Sequence, residues 1–540
     1  MILAVFGRDR ATVATLILGG LLMIAIRLHV WSDDFPNPDI AGIVYNAEGL
    51  LRGQLPYVAT IEIKPPGAFV LAAVSLSVDR SLELLQLWHL LWLSLGGLGV
   101  WWAAASVAAD ESDPVVISRC AAVATAVYLV TVAMFSYNYS SWMTPASALA
   151  VGATLRGLRR GGLGWSMLAG AMAVLAVLTI QRAAVLAIVM VGCWVWARRR
   201  QWSGATVRAG LGWGAGGALT MLPLVTLYAS GGEVGALLTG IVPWDAATDY
   251  AARAEGSLLG NAARGVLQVG TVNWFAVGLV AVAALGSVRS TPPRTATDRS
   301  AWTPGVLWLL ASFVGVSLGQ RYYLHYAVQY APALALLVGH PAWIRRLSGL
   351  TAQDRDGARD RGPHRRVALL AAAAALLALG LIVEVGLGRG QRYEAMARRL
   401  QDGRTAAQAA GRHIREHTDG DATIQAWGWT AWRVYYWADR RCATRVYKPM
   451  GTVTTFNTNT EFDSSDTLTF RDGPAAREMI EAWDRGPPAY FVYSPSLVQA
   501  FGAKREPLDD FAPLRDRLAA DYVPEAAFGD LRILRRRAGI

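Results

Sequence analysis

The sequence predicts a polytopic α-helical membrane protein of about eleven transmembrane helices, followed by a C-terminal extracytoplasmic α/β domain. Three observations lead there. The 540 residues are 53% hydrophobic and only 17% charged, against roughly 25% charge in a soluble domain. The apolar residues arrive in blocks of about 20, the length that crosses a bilayer. That pattern ends near residue 388, after which polar and apolar residues mix. A cytosolic globular enzyme, a disordered chain and a disulfide scaffold are excluded on the same grounds. Cys120 and Cys193 fall inside apolar blocks and Cys442 is alone in the tail, so neither a disulfide framework nor a cysteine zinc site is available.

In chain order, the expected spans are 11–31, 82–108, 115–135, 142–157, 163–180, 182–197, 206–229, 270–287, 303–320, 326–344 and 367–388. Arg27 and His29 follow the first apolar run and no small-residue cleavage site appears, so this run reads as a retained span. Residues 66–78 are apolar but too short to cross. If they do not cross, the basic loops collect on the side of the N-terminus, which the positive-inside rule makes cytoplasmic. Residues 389–540 are then outside, as are the loops 32–81 and 230–269 and the link Gly319–His325. The division is thus a transmembrane domain over 1–388 and a soluble domain over 389–540. In the tail, 392–417 and 476–485 read as helices. Residues 421–437, 442–448, Tyr490–Tyr493 and Leu531–Leu534 read as extended.

The net charge of +11 does not imply nucleic acid, because no stretch interleaves basic and aromatic residues for base stacking. The arginines lie between spans, where they set topology. Lysine occurs only at Lys64, Lys448 and Lys504.

The first outer loop gathers Asp33, Asp34, Asp39, Glu48 and Glu62 beside the membrane. Ile40, Ile43, Val44, Ala47, Leu50 and Leu51 recur at helical spacing, so 39–52 is expected to be an amphipathic helix on the membrane face. Asp39 follows Pro38 and is expected at the N-cap, where capping is its alternative role.

Asp39, Ala47, Leu50, Leu51, Gly53, Pro56 and Tyr57, then Glu62, Lys64, Pro65, Pro66 and Gly67, resemble the first periplasmic loop of GT-C glycosyltransferases of the protein-O-mannosyltransferase and aminoarabinose-transferase type. Gly319 to Pro332, with Arg321, Tyr322, Tyr323, His325 and Tyr326, resembles the family's Arg-Tyr-x-x-His-Tyr lead into a late span. Asp509 to Leu514 and Phe528 to Leu534 resemble its tail ending. The chain departs at three places: Ile40 replaces a second acid, Asn138-Tyr139-Ser140 lacks the carboxylate of an Asn-x-Glu, and Gln181-Arg182 stands where a lysine is common. Asp39 is left as the main candidate base.

The resemblance implies a GT-C-like fold and an inverting transferase working at the outer face of the cytoplasmic membrane. It would move a sugar from a polyprenyl-phosphate donor to a lipid, glycan or protein acceptor. The leaving lipid phosphate is a weak base, so one carboxylate to take the hydroxyl proton suffices, unlike the pair needed in glycoside hydrolysis. The phosphate's charge needs cations in a water-poor site. Lys64, stiffened by two prolines, fits that need, with snorkelling to headgroups as its alternative. Arg321 and Arg182, at the outer ends of spans, are further candidates to hold the phosphate, with a headgroup contact as the alternative for Arg321. Glu62, Asp34, Tyr57, His325, Tyr323, Arg253 and Arg264 are candidate substrate contacts. The expectation is that Asp39 and Lys64, as a lone ammonium, meet in one crevice. No cofactor is required; a divalent metal is compatible with the chemistry but not indicated.

Two other function classes stay open: a lipid-linked-sugar transporter, which calls for polar residues at the bilayer midplane, and a non-catalytic carrier-lipid scaffold. Three motif matches read as structure. Gly212, Gly214 and Gly217 fit a dinucleotide fingerprint but lie inside a span, where they read as helix packing. His413, Glu416 and His417 fit an inverted zincin pattern without a third ligand. Trp427, Trp429, Trp432, Tyr435, Tyr436 and Trp437 could stack a sugar, but read as the tail's core and its contact with the membrane surface.

Overall fold

The computed structural model describes residues 9–29, 35, 38–135, 137–202, 204, 207–243, 257–288, 301–319, 322–347, 406–428, 431–454, 469–494 and 507–538. The expected span 367–388, the domain boundary at 388, and Asp33, Asp34, Arg253 and Arg321 lie outside them. The chain divides into two compact units. One comprises 1–31, 86–227 and 257–388; the other comprises 32–85, 228–256 and 389–540.

The first unit is helical. Its elements are α1 (Arg10–His29), most of α4 (Leu82–Val107), α5 (Pro114–Ala133), α6 (Tyr139–Arg160), α7 (Leu163–Thr179), α8 (Leu186–Arg199), most of α9 (Val207–Ser230), α11 (Leu258–Val272), α12 (Trp274–Val288), α13 (Thr303–Ser317), α14 (Ala331–Val338) and α15 (Pro341–Leu347). Among the described residues, five helices are long and apolar enough to cross a membrane: Arg10–Leu28, Leu82–Val107, Pro114–Ala133, Gln181–Arg199 and Val207–Ser230. Leu18 and Leu211 are 58% and 70% exposed, as side chains facing lipid would be. These features fit a polytopic helical membrane protein.

Small residues set the close approaches. A Cβ on Gly152 would lie 2.1 Å from the Gly99 carbonyl oxygen, so α4 and α6 touch backbone to backbone. The Gly212–Gly217 run works the same way: a Cβ on Gly212 would lie 2.4 Å from Ser166 Cβ, and one on Gly216 1.8 Å from the Met167 carbonyl. The dinucleotide-like spacing is therefore a packing seam between α7 and α9. Two expectations need correction. The span expected over 326–344 is a 3₁₀ turn (Leu324–Tyr330), then α14, then α15. Pro332 and Pro341 start the two short helices, since proline fits a helix's first turn but not its interior. Residues 230–269, expected as a loop, carry α10 (Val234–Ile241) and most of α11.

The second unit holds α2 (Pro38–Leu51), α3 (Gly67–Leu76), α10 and the tail. The apolar 66–78 segment is α3, ten residues, about 15 Å long and half of what a bilayer requires. The tail contains α16 (406–416), β1 (Thr423–Trp427), α17 (Val434–Ala438), β2 (Arg441–Cys442), α18 (Pro474–Arg485), β3 (Tyr490–Tyr493), α19 (Ala512–Asp521), β4 (Tyr522–Phe528) and β5 (Leu531–Arg536). The strand order is β2-β1-β3-β5-β4. β1 runs parallel to β2 and β3, while β5 pairs antiparallel with β3 and β4. The extended stretch expected over 421–437 stops at Trp427. Gly428 there has φ +128°, a left-handed conformation suited to glycine, and the chain turns into a 3₁₀ turn (Ala431–Arg433) and α17. Likewise 442–448 is strand only at its start. Trp427, Trp432, Tyr435 and Tyr436 are buried, which makes most of the aromatic run core.

Candidate functional site

In the second unit the site is built on α2. Pro38 opens the helix and Asp39 is its second residue, so Asp39 lies within the first turn rather than at the cap. Proline's fixed φ suits that first position. A carboxylate there is favoured by the helix dipole, and Asp39 is half-buried. Ile40, Ile43, Val44 and Ala47 are buried, as their spacing predicts. The helix is not amphipathic in situ, however. Its polar stripe, Gly42, Asn46 and Gly49, is covered by tail residues 441–448: a Cβ on Gly42 would lie 3.3 Å from the Tyr447 hydroxyl and 3.5 Å from Lys448 Nζ, and one on Gly49 3.1 Å from Arg441 Nη2.

A buried polar network fills that seam. Asn46 Nδ2 donates to the Gly42 carbonyl (3.0 Å) and to the Tyr447 hydroxyl (2.9 Å). Thr60 Oγ1 donates to Asn46 Oδ1 at 2.8 Å. The Tyr447 hydroxyl donates to Glu62 Oε2, and Lys448 Nζ donates to the same oxygen at 2.7 Å. Glu62 Oε1 accepts the backbone N–H groups of Ile63 (2.9 Å) and Lys64 (3.2 Å). The Glu62 side chain is 1% exposed. Burial alone pushes its pKa up, but the Lys448 charge and these hydrogen bonds outweigh that and hold it below the ordinary carboxylate value.

Lys64 is half-buried in the turn ahead of α3. Its carbonyl accepts the Tyr57 hydroxyl at 2.7 Å. Tyr57 itself has φ +67°, a strained conformation for a bulky residue. Its carbonyl accepts Arg445 Nη2 at 2.6 Å, and its ring rests where a Cβ on Gly240 would come within 2.4 Å. Burial raises the Tyr57 phenol well above its usual value, with the nearby Tyr228 and Glu62 adding to it. Glu48 belongs to a different cluster, paired with Arg80, which also lies 3.2 Å from Asp439. Lys64 is thus not the lone ammonium of this region. Lys448, 386 positions further along the chain than Glu62, answers that carboxylate directly.

The first unit holds a second group. Arg182 sits in a 3₁₀ turn (Gln181–Val185) ahead of α8. Its guanidinium carbon lies 3.5 Å from the centroid of the Tyr326 ring, and it donates to Ser140 Oγ. Ser140 is in the first turn of α6, where the Asn138 side chain accepts from the N–H groups of Ser140 (2.7 Å) and Ser141 (3.1 Å) in a capping box. At the position of the missing carboxylate stands the Ser140 hydroxyl, which accepts from Arg182. The His325 ring is parallel to Tyr323 (5.6 Å) and edge-on to Tyr326 (4.6 Å). Arg182, His325 and Tyr323 thus come together through Tyr326. Arg264 is half-buried on α11, one residue before Gly265, which packs against the Tyr322 ring.

Tyr326, Ser140 and Lys448 were visible in the sequence but carried no signal of a site role, and nothing in it pointed to Tyr447. Lys448 was marked only by the rarity of lysine. The zincin-like triplet resolves otherwise: His413 Nε2 lies 2.9 Å from Glu525 Oε1, and among the described residues no His, Cys, Asp and Glu group could hold a metal ion.

No family model and no curated protein matches the chain. Among solved structures it is similar to ArnT from Cupriavidus metallidurans bound to undecaprenyl phosphate, with a TM-score of 0.55 and 15% identity over 96% of this chain and 98% of that one. It is also similar to ArnT from the same organism in the apo state, with a TM-score of 0.53 and 14% identity over 97% and 98%. Identity this low bears on fold alone. The chain has the fold of ArnT along nearly its whole length, and the polytopic helical fold expected from the sequence is borne out.

Proposed function

We propose that this chain is an inverting GT-C-type glycosyltransferase that takes a sugar from a polyprenyl-phosphate carrier and passes it to a hydroxyl of a lipid, glycan or protein acceptor. The proposed place is the outer face of the cytoplasmic membrane, with the N-terminus cytoplasmic and residues 389–540 outside. The observation that carries the reading is a half-buried aspartate in the first turn of α2, in a chain whose fold is that of a protein crystallised with undecaprenyl phosphate. Fold alone does not imply function, so the site residues bear the argument.

In this reading the acceptor oxygen attacks C1 of the sugar from the face opposite the phosphate. The C1–O bond to the carrier breaks, the polyprenyl phosphate leaves with the electron pair, and Asp39 takes the acceptor's proton. Lys64, Arg182 and Arg321 are proposed to hold the phosphate as charge develops on it. Arg182 is suited to this role because the Tyr326 ring and the Ser140 hydroxyl hold its guanidinium in a 3₁₀ turn ahead of α8. Glu62 is fully engaged by four donors, so its proposed part is structural. His325 and Tyr323 are proposed substrate contacts, as is Arg264.

Purified protein supplied with a labelled polyprenyl-phosphate sugar and a crude envelope acceptor should release polyprenyl phosphate and label the acceptor. Lys64→Ala should weaken carrier binding by at least tenfold. Carrier binding unchanged in that variant would remove Lys64 from the phosphate site, and no transfer from any carrier-linked sugar would remove the reading.

A further inference from the structure

We infer that Lys448, contributed by the tail, is a positioning residue: through its ion pair with Glu62 it fixes the turn that carries Lys64. The inference rests on the proposed role of Lys64 at the donor phosphate.

The geometry of one carboxylate carries the argument. Glu62 divides its two oxygens between two segments. Oε1 accepts the N–H groups of Ile63 and Lys64, and Oε2 accepts Lys448 Nζ and the Tyr447 hydroxyl. Pro65 and Pro66 follow and have no N–H to give, so those two amides are the last backbone donors before Gly67. The Lys64 carbonyl is held in turn by the Tyr57 hydroxyl. The backbone of Lys64 is therefore pinned on both sides, and where its side chain begins depends on Glu62 staying an acceptor with both oxygens.

A carboxylate buried to 1% side-chain exposure remains ionised only if a partner offsets the loss of water. The groups that face it are Lys448 and Tyr447 from the tail, with Tyr57 and Lys64 from its own loop; of the two ammonium groups, Lys448 is the one within hydrogen-bond distance. Remove that charge and Glu62 favours its protonated form, in which one oxygen becomes a donor and the grip on the turn weakens. The tail is tied to the same loop elsewhere as well: Ile61 N donates to the Arg445 carbonyl at 2.9 Å, and Tyr447 stacks on Tyr45 of α2 with ring centroids 4.5 Å apart.

The test is the pH profile of sugar transfer by the full-length protein in detergent or vesicles. Lys448→Met should move the acid limb of the profile upward by about one pH unit or more, while Lys448→Arg should leave the limb where it is. The double variant Glu62→Gln with Lys448→Met has no carboxylate left at position 62 to titrate, so its limb should return to the wild-type position even if its rate is lower. Tyr447→Phe removes one donor to Oε2 and should give a smaller upward shift, which keeps the test open if Lys448→Met folds poorly. A purely structural role for Lys448 would lower the rate at every pH without moving the limb, and that result overturns the inference while the transferase reading stands. Absence of transfer by the wild-type protein overturns both.

Discussion

Two regions hold their charges in opposite ways. In the second unit, Glu62 is sealed from solvent with an ammonium 2.7 Å away. In the first, Arg182 lies 3.5 Å from the centroid of a tyrosine ring and donates to a serine hydroxyl. The ion pair answers charge with charge and leaves a rigid scaffold. The stacked guanidinium is oriented by an aromatic face and a hydroxyl, contacts that suit its planar, multiply donating shape. Charged residues that a sequence places in one acidic or basic loop thus divide by partner: Glu62, Glu48 and Lys448 fix the chain, while Asp39, Lys64 and Arg182 are proposed to meet substrate.

Substitutions that break one mode and not the other sharpen this contrast. The largest effect is expected at Glu62→Ala, which strands the Lys448 charge and should cost about 3–5 kcal/mol of stability, seen as a large drop in the thermal midpoint of the purified protein. An unchanged midpoint would mean the pair contributes nothing. The same pair sets a pH dependence. The folded pKa of Glu62 is held below its ordinary value, so its contribution is present in full above about pH 4.3 and is lost as pH falls through the folded value. The stability gap between wild type and Glu62→Gln should therefore shrink on acidification below that point.

Arg182→Ala should leave the thermal midpoint nearly unmoved and weaken carrier binding by about 2 kcal/mol, or some 30-fold. Titration with a polyprenyl phosphate checks it, and a binding curve that overlays wild type removes Arg182 from the site. Tyr326→Leu, which takes away the ring under the guanidinium, should weaken binding in the same assay by about tenfold. The smallest effect belongs to the exposed pair Asp484–Arg517, at 2.7 Å with the aspartate side chain 54% exposed. Asp484→Asn should cost less than about 1 kcal/mol, and a larger loss would show that surface pairs here rival the buried one.

Much of this architecture was legible in the chain. Blocks of apolar residues marked the helices, and strand Tyr490–Tyr493 and the helix ending at Arg485 sit where their patterns put them. The α2 helix was legible from the spacing of Ile40, Ile43, Val44 and Ala47. What was not legible depends on contacts distant in sequence. Nothing local distinguishes a Glu62 that meets substrate from one that meets Lys448. An amphipathic stripe looks the same whether water or the tail covers it, so the cover that tail residues lay over Gly42 and Asn46 leaves no local mark. The strand expected through 437 failed because alternating aromatics pack equally well around a short helix once Gly428 has turned the chain. The sheet's β4 went unread for a related reason: Pro524 and Ala526 interrupt its pattern, and the pairing with β5 absorbs them as a register shift.

Asp39 is the residue proposed to take the acceptor's proton. The most direct measurement compares wild type with Asp39→Asn for sugar transfer from a labelled polyprenyl-phosphate donor, with carrier affinity measured on the same preparations. Transfer by Asp39→Asn should fall by about 10²–10⁴-fold while carrier affinity stays within about twofold. Transfer at the wild-type rate by Asp39→Asn would contradict that role.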